Sequence, residues 1–151
     1  MSPAVLGPEE LASIVGSHLG YSGWHTVSQE QVDLFAEATG DRQWIHVDPE
    51  RAKSGPFGTT IAHGYLTLSL LPALLDEIVE VKGPRFMVNY GLNGLRFPSP
   101  VPVGSRLRLG VALTSVEAFE GGHQAILNCV FEVDGSSKPS CVADVVFRYY
   151  D

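Results

Sequence analysis

Cysteine is scarce, cationic side chains are outnumbered, and no long hydrophobic run occurs in this chain of 151 residues. The 2 cysteines, Cys129 and Cys141, are too few for a disulfide framework, and neither belongs to a CxxC pair of the kind that holds zinc. Free, buried thiols in a reducing compartment are the expectation. Lys and Arg total 10 against 17 Asp and Glu, a formal net charge of -7. That balance excludes a general affinity for nucleic acid or for an anionic membrane surface, both of which select clustered positive charge. The most apolar segment, Gly64 to Leu75, runs only 12 residues before Asp76, short of the roughly 20 needed to span a bilayer. The opening MSPAVLGPEE has no Lys or Arg and no apolar stretch of signal-peptide type. A cytoplasmic protein with no membrane partner is therefore expected.

What is present is enough for a core. Hydrophobic residues make up 44% and charged residues 18%, a globular rather than disordered balance. The length suits one domain over residues 1–151. Charge is unevenly placed: from Val81 to Ser115 there is no acid, yet Lys82, Arg85, Arg96, Arg106 and Arg108 all fall there. A phosphorylated small molecule would suit such a stretch.

The first half reads as helical and the second as strands, the order of an α+β fold. Pro8-Glu9-Glu10 opens a short helix, with acids at the positive end of its dipole. Tyr21 to Val27 is a possible first strand. Ser28 caps a helix, Gln31 completes a capping box, and Gly40 ends the helix in a left-handed turn. A helical turn follows over Pro49 to Lys53, capped by Asp48. Tyr65 to Leu75 is apolar on nearly all sides, which predicts a helix buried on nearly all sides, kinked at Pro72. Alternation of period two then predicts strands at Phe86–Leu92, Leu107–Leu113, Ala125–Val133 and Cys141–Tyr149. Gly91 and Gly94 mark a bulge or bend, and Pro98, Pro100 and Pro102 a break between strands. A curved antiparallel sheet wrapped around one long apolar helix is the layout of a single hot-dog domain, although periodicity alone leaves other α+β folds open.

The densest polar cluster in apolar surroundings runs from Gly40 to Tyr65. Asp41 and His46 flank a turn anchored by Trp44 and Ile45. An acid and an imidazole meeting at one pocket can hold a water, take its proton and return one elsewhere. On spacing alone the structural alternative is the stronger: Asp41 capping its turn and His46 hydrogen-bonded in the core. Ile61-Ala62-His63-Gly64-Tyr65 leads into the apolar helix. Free N–H groups at a helix start can hold an oxyanion, and a tight entry turn explains Gly64 equally well. A metal site from His46, Asp48 and His63 matches no zinc spacing. Ser69 and Ser99 lack a G-x-S-x-G elbow, and no strand–GxGxxG–helix unit supports a Rossmann site.

Taken together, Gly40-Asp41, Ile45-His46-Val47-Asp48, Ala52, Phe57-Gly58 and Ile61-Ala62-His63-Gly64 resemble the hydratase-2 motif of the MaoC-like family. Asn89-Tyr90-Gly91-Leu92-Asn93 and Arg96-Phe97-Pro98 further resemble its NodN-like branch. The resemblance implies a hot-dog (R)-specific enoyl-CoA hydratase, a lyase of fatty-acid metabolism that forms (3R)-3-hydroxyacyl-CoA from trans-2-enoyl-CoA. It implies Asp41 and His46 as the catalytic pair and the Gly64 N–H as oxyanion donor. Gln43, Phe57, Ile61, His63, Tyr65, Arg96 and Arg106 become candidate substrate contacts, the arginines for the CoA phosphates. No metal and no organic cofactor is implied, CoA thioester being the substrate, and a homodimer is. Two departures stand out: Gln43-Trp44 replaces the usual Asn-Pro, and Pro72 stands where some members carry a serine. The competing readings are a hot-dog thioesterase, a dehydratase of substrates on acyl carrier protein, and a non-catalytic acyl-thioester binding module.

Overall fold

The computed structural model of the chain describes residues 2–151. It begins with a strand no periodicity announced, β1 (Ala4–Leu6), too short to show a period. Helix α1 (Pro8–Ser13) follows, its Glu10 Oε1 accepting the Gly7 N–H at 3.2 Å. The strand expected over Tyr21–Val27 is two shorter ones, β2 (His18–Tyr21) and β3 (His25–Thr26). Ser22 marks the break: its hydroxyl accepts the Leu109 N–H and donates to the Gly23 carbonyl, both at 2.9 Å.

Helix α2 (Gln29–Thr39) starts where Ser28 Oγ accepts the Gln31 N–H at 3.1 Å and ends at Gly40, whose φ of 82° is left-handed. Only half of the expected capping box forms, because the Gln31 carboxamide oxygen pairs with His25 Nε2 at 3.0 Å instead. Two single-turn helices come next, α3 (Trp44–Val47) and α4 (Pro49–Ala52), the second capped by Asp48 Oδ1 on the Arg51 N–H at 3.1 Å.

The apolar segment forms two helices, α5 (Gly64–Ser69) and α6 (Leu71–Leu75), separated at Leu70. Pro72 sits in the first turn of α6, where its missing donor costs nothing. The expectation of burial on all sides fails. Leu66, Leu71, Leu74 and Leu75 enter the core, but Tyr65 is 66% exposed and Ser69 and Ala73 also face out. The sheet wraps one side of the helices and leaves the other uncovered.

Strand β4 (Val79–Val81) runs parallel to β1, forming a two-stranded sheet. The main sheet comprises β5 (Phe86–Arg96), β6 (Arg106–Phe119), β7 (Gly122–Val133) and β8 (Cys141–Tyr150), in the order β2-β6-β7-β8-β5, with β3 also paired to β6. All of its pairings are antiparallel. Alternation sets the faces: Leu107, Leu109, Val111, Leu127, Cys129, Phe131 and Phe147 point at the helices and are almost wholly buried. Strand β5 bulges between Asn89 and Gly91 and between Leu92 and Gly94, as the glycines foretold. It pairs with β8 on one side and is otherwise an open edge. This is the hot-dog arrangement, its sheet curved but not closed. Among the described residues, no helix is long and apolar enough to cross a membrane.

Candidate active site

Three segments meet at the site; α3 and the residues leading into α5 line the cleft, while the turn carrying Asp41 borders His46 without lining it. The turn after α2 carries Asp41, α3 carries His46, and the extended residues before α5 carry Ile61 and His63. The Ile61 N–H donates to the Ile45 carbonyl at 3.0 Å, and the Ala62 N–H donates to the Val101 carbonyl at 2.8 Å. The proline-broken stretch after β5 therefore supplies the opposite wall. The cleft has a volume of about 290 Å³ and is lined by His46, Phe57, Ile61, Gly64, Phe97 and Ser140 among others. A second cleft of about 330 Å³ lies between α5–α6 and β5, walled by residues such as Leu68, Pro72 and Leu92. None of its lining residues titrates, so acid–base chemistry belongs to the first.

His46 is 7% exposed, and its Nδ1 lies 2.7 Å from the Ile61 carbonyl oxygen. A carbonyl only accepts, so Nδ1 carries the proton and Nε2 is left as a lone pair. Burial is the chief cause that holds the His46 pKa below the ordinary histidine value; repulsion from His63 adds to it, while the Ile61 bond and Asp41 work against it. His46 is thus a neutral ring with a basic nitrogen. Asp41 is exposed, and its Oδ1 accepts the Gln43 N–H at 3.4 Å. The turn-capping role and the closeness to His46 coexist: donor atoms of Asp41, His46 and His63 all lie within 4.8 Å of one another.

His63 is 3% exposed. Its ring stacks on His46, centroids 3.9 Å apart and planes 24° from parallel, with Phe35 of α2 on it at 4.8 Å. Its Nε2 donates to the Asp41 carbonyl at 2.9 Å, and its Nδ1 is buried without a partner. Near-parallel rings aim their lone pairs side by side rather than at a common point, which is poor chelating geometry. Asp48, the third member of the metal reading, is spent on its helix cap.

Gly64 opens α5, and its N–H makes no backbone hydrogen bond, as expected of a first-turn donor. It faces the cleft, and a Cβ placed on it would lie 2.9 Å from the Phe97 ring, which is why glycine stands there.

The other candidates divide. Phe57 and Ile61 line the cleft. Gln43 is exposed and occupies the N-cap position of α3 without a side-chain cap bond, and Tyr65 lies outside the lining with its ring edge-on to Phe97 at 6.0 Å. Trp44 does not reach the cleft either; it packs on Gly55 and under the Arg51 guanidinium, 4.3 Å from its ring. The two arginines lie away from the cleft. Arg106 is ion-paired with Asp134 at the start of β6, and Arg96 lies opposite Val142 on the outer sheet face, so neither lines the cleft.

Sequence reasoning missed Gln29 and Phe97. The Gln29 carboxamide donates to the His46 carbonyl at 2.8 Å and to Asp33 Oδ1 at 2.9 Å, and accepts the hydroxyl of buried Thr60 at 2.6 Å. It ties α2, α3 and the extended segment before Gly64 together. Its only sequence signal is its place beside the Ser28 cap. Phe97 was legible only as the residue before the prolines.

Known proteins resemble the chain over most of its length. Residues 10–130 match the family described as MaoC like domain. The chain is 56% identical over 141 residues to 3-hydroxyacyl-thioester dehydratase Z of Mycobacterium tuberculosis, covering 93% of each chain. It is 42% identical over 139 residues to Nodulation protein N of Rhizobium leguminosarum bv. viciae, covering 89% of this chain and 86% of the other. Among solved structures it is similar to the (R)-hydratase from A. caviae involved in PHA biosynthesis, with a TM-score of 0.73 and 26% identity, covering 89% of this chain and 96% of the other.

Proposed function

The chain belongs to the MaoC-like family, and from that premise we propose that it catalyses the reversible addition of water to trans-2-enoyl thioesters, giving (3R)-3-hydroxyacyl thioesters, with CoA as carrier. It is an enzyme of the hydro-lyase type. The observation that carries the finer reading is one cleft lined by both His46, whose Nε2 is left as a lone pair, and Gly64, whose backbone N–H is unpartnered.

Conjugate addition needs a base at C3 and an electrophile at the carbonyl. His46 Nε2 takes a proton from a water that the Asp41 carboxylate helps to orient, and the oxygen bonds to C3. The C2–C3 π electrons move toward the thioester carbonyl, and the Gly64 N–H steadies the growing negative charge on its oxygen. The enolate then collapses, taking a proton at C2 from the same Asp41–His46 pair, so the pair ends as it began. Dehydration is the same path reversed. Backbone polarisation supplies the electrophile, so the reaction requires neither a metal nor an organic cofactor.

A homodimer is part of this reading. Strand β5 is an open edge of 11 residues with Phe86, Val88, Tyr90 and Leu92 between 39% and 56% exposed. A second copy of that edge would complete its hydrogen bonding and cover the open side of α5. Light scattering is expected to give twice the 16.3 kDa chain mass.

The decisive experiment supplies crotonyl-CoA and follows enone absorbance, free thiol and product configuration together. Loss of the enone without thiol release, and a (3R) product, is the expected result. Thiol release in place of hydration would make the protein a thioesterase; no turnover with short or long enoyl-CoA, or with carrier-protein thioesters, would make it a binding module. Asp41→Asn and His46→Gln are each expected to lower kcat by about 10² to 10⁴.

A further inference from the structure

His63 was expected to touch substrate, but it has no atom left for that: it is 3% exposed, its Nε2 proton is given to Asp41, and its Nδ1 is sealed. What it does touch is the reacting pair. We propose that His63 is the positioning residue of the site, its ring fixing the plane of His46 and its Nε2–H fixing the main chain of Asp41, so that acid and base share one anchor.

The geometry requires such a device. Asp41 lies in an exposed turn just after the left-handed Gly40, a segment with little packing of its own. His46 lies on a single-turn helix, α3, too short to be rigid alone. His46 is held along its edge by the Ile61 carbonyl and through its main chain by Gln29. Those bonds leave rotation out of the ring plane uncontrolled, and only a flat surface at van der Waals distance stops it. His63 supplies that surface at 3.9 Å and is itself contacted by Phe35, ring centroids 4.8 Å apart and planes tilted by 55°. The same ring reaches Asp41 with its proton-bearing nitrogen, which fixes the tautomer and explains the orphan Nδ1. A phenylalanine could stack but not tether; a glutamine could tether but not stack. The titratable groups facing His46 are Asp41 and His63, with Asp33 one hydrogen bond further away through Gln29.

The inference rests on the Asp41–His46 reading, and the test separates the two. His63→Phe and His63→Gln each remove one function and keep the other. Each is expected to lower kcat on crotonyl-CoA by about 10- to 100-fold, the loss typical of reacting groups displaced by about 1 Å, with KM within about twofold because substrate does not touch the ring. Histidine NMR gives a readout independent of turnover: in His63→Phe the His46 titration midpoint is expected to rise, since repulsion from the second imidazole is one of the causes holding it down. Wild-type kcat in both variants, or a KM effect with kcat unchanged, would overturn the positioning role while leaving the pair intact. Full activity of Asp41→Asn and His46→Gln would overturn the pair itself, whatever the His63 variants do. If either His63 variant fails to fold, the other carries both measurements, and an unmoved His46 midpoint in His63→Phe counts against the proposal.

Discussion

Replacing Gly64 by alanine and by proline separates shape from electrostatics at the helix entry. His63 has φ −59° and ψ 137°, the extended region that a residue before proline prefers, and the first helical position tolerates proline well. Both replacements add a Cβ at the same place, 2.9 to 3.0 Å from three atoms of the Phe97 ring. Phe97 is 40% exposed and can swing away, so the overlap costs about 1 kcal/mol, the low end for overpacking, seen as a drop in Tm of about 2–4 °C for a chain of this size. Only proline removes the N–H. Losing one oxyanion donor costs about 2.7–4 kcal/mol, or 10²–10³ in kcat. The clean comparison is made in a Phe97→Ala background, where the steric overlap is gone. There, Gly64→Ala is expected to stay within about fivefold of its parent, an effect of about 1 kcal/mol, and Gly64→Pro to lose a further 10²–10³, read as the rate of enone loss from crotonyl-CoA. Equal activity of the alanine and proline variants would show that the Gly64 N–H does no electrostatic work and that the glycine serves packing alone.

Three further expectations follow from the same geometry. His46 must be neutral to act as base, and burial holds its pKa below the ordinary value, so the acid limb of kcat/KM against pH should be centred below about 6.5; an acid limb centred above 6.5 would contradict the buried, neutral ring. Arg106→Ala should leave KM for crotonyl-CoA and its salt dependence within about twofold, because the guanidinium is committed to Asp134 away from the cleft; a tenfold rise would return it to the CoA site. Burial pushes the Cys129 and Cys141 thiols up to about 12 and about 11, so the native protein should resist a thiol reagent at pH 8 and expose both groups only in denaturant.

Strands β6, β7 and β8 were legible because burial on one face imposes period two over ten or more residues, a signal no loop mimics, whereas the alternation of β5 lies on an edge that this chain leaves exposed. Ser28 and Gly40 were legible as well, since each is chosen by a local backbone requirement. The failures share a different origin. The sealed central helix was inferred from composition, but composition records what a surface avoids and not what covers it; the exposed Tyr65 face and the open β5 edge ask for a partner that a single sequence does not display. The arginines were read from linear density in an acid-free stretch. Strand register then placed them away from the cleft: Arg106 lies beside Asp134, just past the end of β7, and Arg96 shares the outer face with Val142. Charge along a strand says little until the facing strand is known.

The site shows the same division at finer grain. Asp41 and His46 stand five residues apart, and such spacing is common, so it could not choose between a cap and a catalyst. The choice depends on which imidazole nitrogen keeps its proton. That is fixed by the Ile61 carbonyl, 15 residues downstream, reached because Ile61 pairs with Ile45 while Gln29 ties His46 to Thr60. Gly64 follows on the same extended segment, so the bond that fixes the base also fixes the distance from base to oxyanion donor. One short backbone pairing therefore sets both ends of the proposed reaction. A substitution that slips the Ile45–Ile61 register should damage catalysis far more than its loss of core area predicts, because it turns His46 and displaces Gly64 together.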